Sequence, residues 1–185
     1  AYAHFIPAVV DYISQRGEFV SPYTPYQPEV SQGTLQAIFE YQTLVCQLTG
    51  LDVANASLYE GATAAAEAVL MAQRVKNRNR VLLARTLHPQ YRETIRTYIK
   101  NLGIEAVEVP FINAGTLDTA ALARLLDDAT AAVVVQSPNF FGVCEDLKAV
   151  SDAAHGRGAL AVAVIVEALS LGLLEAPGAL GVDIA

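Results

Sequence analysis

From residue 61 onward, the hydrophobic positions switch between helical spacing and short runs that are apolar throughout. Ala62 to Val75 is rich in strong helix formers, and Val81-Leu82-Leu83-Ala84 follows as a strand. Pro89 opens a helix whose apolar face is Tyr91, Ile95, Tyr98 and Leu102, with Arg92, Arg96 and Lys100 on another face. Ile104 to Val109 reads as a strand, Leu117 to Leu126 as a helix, and Ala131 to Gln136 as a strand. Glu145 to His155 reads as a helix, and Ala159 to Val166 as the last complete strand. Strands of this length separated by helices are the pattern of βαβ units. Their uniform apolarity predicts an α/β fold, a mostly parallel sheet with helices on both faces.

The first fifty residues follow a different rule. Ala3 to Arg16 is expected to be helical, with Pro7 in the first turn. Ser21 to Glu29 contains three of the chain's eight prolines and reads as a stiff, extended arm. Ser31 is placed to cap a further helix, with Leu35, Ile38, Phe39, Val45 and Leu48 on or near one face and Gly50 at its end. The expected division is therefore 1–50, N-terminal helices and a Tyr/Pro-rich arm, and 51–185, an α/β core. The last residues, Gly181 to Ala185, read as the beginning of another strand. The 185 residues are accordingly expected to be a portion of a longer chain, with the core incomplete at its C-terminal side.

Composition narrows the function classes. Hydrophobic residues make up 53% and charged residues 17%, which argues for a folded core and against disorder. A formal net charge of -7 argues against nucleic-acid binding, which needs a basic face, and gives no attraction to an anionic membrane. Cys46 and Cys144 form no metal-ligand spacing and are expected to be buried free thiols in a reducing, cytoplasmic setting. No metal site is expected. The basic run Arg74, Lys76, Arg78 and Arg80 reads as a solvated helix end.

Ligands in open α/β sheets bind beyond the carboxyl ends of the strands, and several polar residues fall there. Asn55 to Thr63 leads into a helix whose free N–H groups suit a phosphate, or are simply capped by a local side chain. His88 follows a strand and would either stack on a flat ligand or cap the next helix. Ser137 to Gly142 brackets Asn139 and two phenylalanines in an ordered loop. Glu167 either accepts from a cationic ring nitrogen or marks the water-facing end of its strand. Neither G-x-G-x-x-G nor a P-loop occurs, and none of Lys76, Lys100 and Lys148 is placed for Schiff-base chemistry. The arm offers rigid aromatic contact area through Tyr23 and Tyr26 and directional polar groups through Gln27 and Glu29. It reads as part of a site or a subunit interface, or as a strap over its own core.

These residues also carry a resemblance. Tyr23 to Gly33 (YTPYQPEVSQG), Leu35 to Thr43 (LQAIFEYQT), Leu48-Thr49-Gly50 and Ala54 to Glu67 (ANASLYEGATAAAE) closely resemble the glycine-decarboxylating P-proteins of the glycine cleavage system. So do Arg85 to Pro89, Pro138 to Gly142 and Leu169 to Leu174. The likeness is to the N-terminal half, a separate subunit 1 in many bacteria and archaea. It implies a pyridoxal-phosphate-dependent transferase-like fold (fold type I) and a share in decarboxylating glycine and passing the aminomethyl group to the lipoylated H-protein. It further implies that subunit 2 carries the reactive lysine and the pyridoxal phosphate, in a heterotetramer. Thr24, Tyr26, Gln27, Glu29 and Gln32, with Tyr23, are the implied contributors to the shared site. Thr63, His88, Asn139 and Glu167 correspond to vestiges of a cofactor site gripping phosphate, ring face, ring hydroxyl and ring nitrogen. The family's Asp-Pro before its leucine-serine-leucine run is Glu167-Ala168 here. The alternatives are a self-contained pyridoxal-phosphate enzyme with its lysine beyond residue 185, and a non-catalytic assembly domain.

Overall fold

The computed structural model describes residues 4–20 and 24–185. The N-terminal region holds helices α1 (Ala8–Ser14), α2 (Gly17–Val20) and α3 (Gln32–Thr49). The remainder alternates α4 (Gly61–Lys76), β1 (Arg80–Ala84), α5 (Pro89–Ile99), β2 (Glu105–Val109), α6 (Thr119–Leu125), β3 (Thr130–Gln136), α7 (Leu147–His155) and β4 (Leu160–Val164). Single turns of 3₁₀-helix follow at Ala168–Gly172 and Pro177–Leu180. The four strands form one parallel sheet in the order β2-β1-β3-β4. A parallel bridge between Val162 and Ile184 continues the pairing on the outer side of β4.

Alternate side chains of each strand enter opposite cores. Leu82, Ala84, Val133, Val135, Ala161 and Ala163 join Leu122, Leu147 and Val150 of α6 and α7 on one face. Val81, Leu83, Ala132, Val134 and Val162 join Val69, Ile95 and Ile99 of α4 and α5 on the other. The alanines of α4 (Ala65, Ala66, Ala68 and Ala72) keep that helix close to the sheet. With helices over both faces, β1, β3 and β4 have no polar side to show and carry no alternation, whereas β2, at the edge of the sheet, carries Glu105 and Glu108.

Several expected boundaries move for local reasons. The first helix stops at Ser14, and its continuation is a separate turn from Gly17, a poor helix former. Pro7 caps α1, and Ser31 occupies the cap position of α3 without a side-chain hydrogen bond. Helix α5 ends at Ile99, ahead of a left-handed Gly103; Tyr98 and Leu102 are exposed, and Ile95 and Ile99 supply the buried face. Asp118 and Asp146 cap α6 and α7 through the N–H groups of Ala121 and Ala149, excluding Leu117 and Glu145 from those helices. Strand β4 ends at Val164, short of Ile165 and Val166.

Of the basic run, Arg74 and Lys76 lie in the last turn of α4 with Arg74 exposed as expected, but Arg78 and Arg80 are drawn inward. Arg78 Nη1 donates to the carbonyls of Thr130 (3.0 Å) and Arg157 (2.8 Å), 52 and 79 residues away. Arg80 donates to the carbonyl of Leu125 and to Asp127, whose carboxyl is held low by the Thr130 hydroxyl and then by Arg80, against burial. The carbonyls they satisfy belong to the end of α6, the turn after α7 and the first residue of β3, groups that helix ends and strand starts leave without a partner. The thiols also depart from expectation. Cys46 is half-buried on α3 and Cys144 is exposed, because the turn after β3 points it away from the core.

Helices α1–α3 contribute nothing to either core cluster. Within α3 only Thr49 is buried; of the predicted apolar face, Phe39 and Leu48 are exposed, Phe39 at 65%, and Leu35, Ile38 and Val45 are half-buried. The helix is fastened at its end. Gly50 takes φ 68°, and its carbonyl lies so close to Gly178 that a Cβ there would collide with it. Gln42 Nε2 adds a bond to the carbonyl of Ala54.

Candidate active site at the carboxyl edge of the sheet

The chain leaves β1 towards β2 on one side and β3 towards β4 on the other, so the strand order reverses between β1 and β3. That crevice is where α/β folds take their ligands. The loop after β1 brings His88 there, and the loop after β3 brings Asn139 and Phe140. Gln136, the last residue of β3, joins the two loops. Its Oε1 accepts from the His88 N–H (2.9 Å), and its Nε2 donates to the Pro138 carbonyl (3.0 Å). Phe140 N–H also donates to the Thr86 carbonyl at 2.9 Å.

His88 caps α5, with Nδ1 accepting from Gln90 N–H at 3.2 Å. Its ring stands edge-on to Phe140 (5.0 Å between centroids) and tilted against Tyr91 (5.5 Å). Phe141 extends this aromatic group to Phe111, and Arg85 lies over the Phe111 ring at 5.7 Å. Beside it, Glu108 receives Arg92 and Arg96. Burial pulls that carboxyl upward, but the hydrogen bonds from Arg96 and Arg92 prevail and hold it below the usual carboxylate range.

Asn139 is 4% exposed and all four of its hydrogen-bonding positions are used. Nδ2 donates to the Gly115 carbonyl and to Glu145 Oε1, both at 2.8 Å. Oδ1 accepts from the N–H groups of Phe141 (2.9 Å) and Val143 (3.1 Å). Glu145, itself buried, accepts from Leu117 N–H at 2.9 Å through Oε2, and its own N–H donates to Ser137 Oγ at 3.1 Å. Nothing in the spacing of Asn139 and Glu145 announced this pair, because a buried carboxyl in a loop looks like any surface acid in sequence.

At the head of α4, Glu60 is the cap. Its two carboxylate oxygens accept from Ala62 N–H (2.6 Å) and Thr63 N–H (2.7 Å), and Thr63 Oγ1 donates to the Glu60 carbonyl (3.0 Å). The hydrogen bonds from Thr63 and Ala62 keep the Glu60 carboxyl below its ordinary range. Tyr91 Oη lies where a Cβ of Gly61 would sit. Glu167 caps the turn at Ala168–Gly172 by accepting from Leu169 N–H (3.2 Å), and pairs with His4 Nε2 at 3.3 Å.

Tyr23 lies outside the described residues. Thr24, Tyr26, Gln27, Glu29 and Gln32 are all exposed, Tyr26 at 82%, on turns closed by Tyr26 N–H to the Thr24 carbonyl and Val30 N–H to the Gln27 carbonyl. Lys76 ends α4 at the opposite edge of the sheet, Lys100 follows α5, and Lys148 is paired with Asp152 (2.5 Å). Among the described residues no cluster of His, Cys, Asp or Glu suits a metal ion, and no helix is long and apolar enough to cross a membrane.

The parallel sheet wound on both sides, with its loops gathered at a switch point, is a doubly wound α/β fold of the kind that forms the large domain of fold type I pyridoxal-phosphate-dependent enzymes. The fold is shared with a sphingosine-1-phosphate lyase of Burkholderia pseudomallei, at 15% identity and a TM-score of 0.66 over 83% of this chain and 38% of that one. The sequence is more specific: the profile of the glycine cleavage system P-protein matches residues 1–185, and the chain belongs to that family. A probable glycine dehydrogenase (decarboxylating) subunit 1 of Geotalea daltonii is 55% identical over 99% of this chain and 41% of its own length. The corresponding protein of Anaeromyxobacter dehalogenans is 54% identical over 100% and 41%. A crystal structure of glycine decarboxylase (P-protein) in inhibitor-bound form superposes with a TM-score of 0.90 at 49% identity, over 97% of this chain and 40% of that one. The chain thus spans about two fifths of the length of the relatives it matches.

Proposed function

We propose that the chain acts as part of subunit 1 of the glycine-decarboxylating enzyme of the glycine cleavage system. In this reading a subunit 2 holds pyridoxal phosphate, and the aminomethyl group passes to a lipoylated H-protein. The observation that carries the reading is the 55% identity, across nearly the whole chain, to proteins described as subunit 1. Pyridoxal phosphate, when bound, supplies the electron sink that decarboxylation of an amino acid requires, and the protein supplies binding and orientation.

This chain's part is positioning. Tyr26, Gln27 and Glu29 are exposed beside prolines, so their side chains meet a partner at low entropic cost. Tyr26 and Gln27 would orient the substrate or the lipoyl arm by hydrogen bonds, and Glu29 would hold a basic group of subunit 2. The described residues of the N-terminal region form the contact layer: Phe5, Val10, Tyr12, Phe39 and Leu44 are exposed over α1 and α3 and the segment before them, and monomers rarely leave such apolar surface uncovered. The expected complex is a cytoplasmic heterotetramer.

The test uses the natural full-length subunit assembled with subunit 2. Tyr26→Ala and Glu29→Ala are expected to lower exchange of labelled carbon dioxide into glycine by about tenfold or more, equivalent to at least ~1.4 kcal/mol of transition-state stabilisation. Unchanged exchange in both variants removes the arm from the site. The exposed apolar helices also suit a purely assembling role. That role predicts a normal complex and full exchange with the same substitutions.

A further inference from the structure

The residues of this chain that correspond to a cofactor site do not fit pyridoxal phosphate, and the misfit has a structural agent. We infer that the chain closes its own phosphate seat, with the Glu60 carboxylate serving as an internal anion at the head of α4. The inference rests on the reading above and deepens it, assigning to Glu60 the closure of this subunit's seat.

A phosphate at a helix head needs the N–H groups of the first turn, room for its oxygens and no competing negative charge. Glu60 takes the N–H groups and supplies the competing charge, and Tyr91 takes the room. Both of its oxygens already take first-turn N–H groups, those of Ala62 and Thr63. The Thr63 hydroxyl, which would otherwise reach a phosphate oxygen, donates to the carbonyl of Glu60. The next N–H, that of Ala64, goes to the same carbonyl at 3.0 Å. The space opened by the missing side chain of Gly61 is filled by Tyr91 Oη. A helix of 16 residues keeps a full dipole at this end, and the carboxylate neutralises it in place.

The other three groups are committed in the same direction. The His88 ring has an aromatic edge or face from Phe140 and Tyr91 against it and spends Nδ1 on its own helix. Asn139 has no position left for a ring hydroxyl. Glu167 faces His4 and the Leu169 N–H, so a ring nitrogen would have to displace an imidazole. Each engagement alone is an ordinary hydrogen bond. Together they make the edge of the sheet a site whose ligands all come from the chain itself.

The experiment is calorimetric titration of the natural full-length subunit, without its partner, using inorganic phosphate, pyridoxal phosphate and unphosphorylated pyridoxal. Wild type is expected to show no saturable phosphate binding in the millimolar range. Glu60→Ser, which keeps a short hydroxyl cap, and Glu60→Gly are expected to gain saturable binding of phosphate and of pyridoxal phosphate. The gain should be at least about tenfold, as for a helix-head anion site relieved of a like charge, with no gain for pyridoxal. Circular dichroism checks that α4 remains in the variant scored. Two results overturn the inference: a folded variant that gains no phosphate affinity, or a wild type that binds phosphate as tightly as the variants. Neither bears on the arm, which is read by exchange in the assembled enzyme, so failure of one proposal leaves the other standing.

Discussion

Asn139 is the most heavily committed polar side chain near the switch point, and its removal should be costly. Alanine there deletes two donated bonds of 2.8 Å and two accepted bonds of 2.9 and 3.1 Å in a residue that is 4% exposed. At about 1 kcal/mol per bond, with buried partners left unpaired, the loss is about 3–5 kcal/mol. Against a total stability of about 5–15 kcal/mol, that is a large fraction. Asn139→Asp separates hydrogen bonding from volume. It retains the acceptor towards Phe141 and Val143 but turns Nδ2 into an oxygen facing the Gly115 carbonyl and Glu145 Oε1, two acceptors. The new carboxyl has its folded pKa raised above the unfolded value, since only the protonated form can donate. Its favourable contribution is therefore present at low pH and lost as pH rises through the folded value. Urea denaturation of the full-length subunit, followed by circular dichroism, should rank wild type above the alanine variant and that above aspartate at neutral pH. The gap between aspartate and wild type should narrow on acidification. An alanine variant within about 1 kcal/mol of wild type, or an aspartate variant whose deficit is independent of pH, refutes the reasoning.

Two further outcomes follow from other contacts. Glu108 is held below its ordinary range by Arg96 and Arg92 in spite of burial, so its contribution is present above about pH 4.5 and disappears as pH falls through the lower folded value. Glu108→Gln should cost about 1–3 kcal/mol at neutral pH and flatten the acid side of the stability profile, read by chemical denaturation at several pH values. Gly178→Ala would drive a methyl group into the Gly50 carbonyl. It should lower stability by about 1–3 kcal/mol and speed amide exchange at Gly50, whose N–H closes α3 on Cys46. Undisturbed exchange at Gly50 would show that the contact yields at no cost.

The fold was legible where the chain obeys one rule at a time. Short, mostly apolar runs between helical stretches specify a parallel sheet, and the four strands, β2 with its Glu105 and Glu108 included, lie near where the periodicity puts them. The family was legible in the Tyr/Pro-rich arm and in the segment around Glu60. Legibility failed where a neighbour distant in sequence decides. The Leu35 to Leu48 face reads as a core face, yet helix α3 has no core against most of it, because periodicity reports an apolar stripe and not what covers it. Arg78 and Arg80 read as solvated because their partners, the carbonyls of residues 125, 130 and 157, belong to segments that sequence alone does not bring together. At the candidate site, the positions of Thr63, His88, Asn139 and Glu167 were readable. Their commitments to Glu60, Gln90, Glu145 and His4 were not, since each depends on rotamers and on loops folding back.

Arg78 has a kinetic consequence. Its guanidinium reaches carbonyls 52 and 79 residues away, so each bond needs two distant stretches of backbone brought together, and the pair of bonds needs three. Loops of that length close late, and energy delivered only after closure does little to hasten the search for the native state. It acts instead on the reverse journey, because those bonds must break before the trailing edge of the sheet can come apart. One side chain just ahead of β1 thus lengthens the lifetime of the folded state more than it shortens the time needed to reach it.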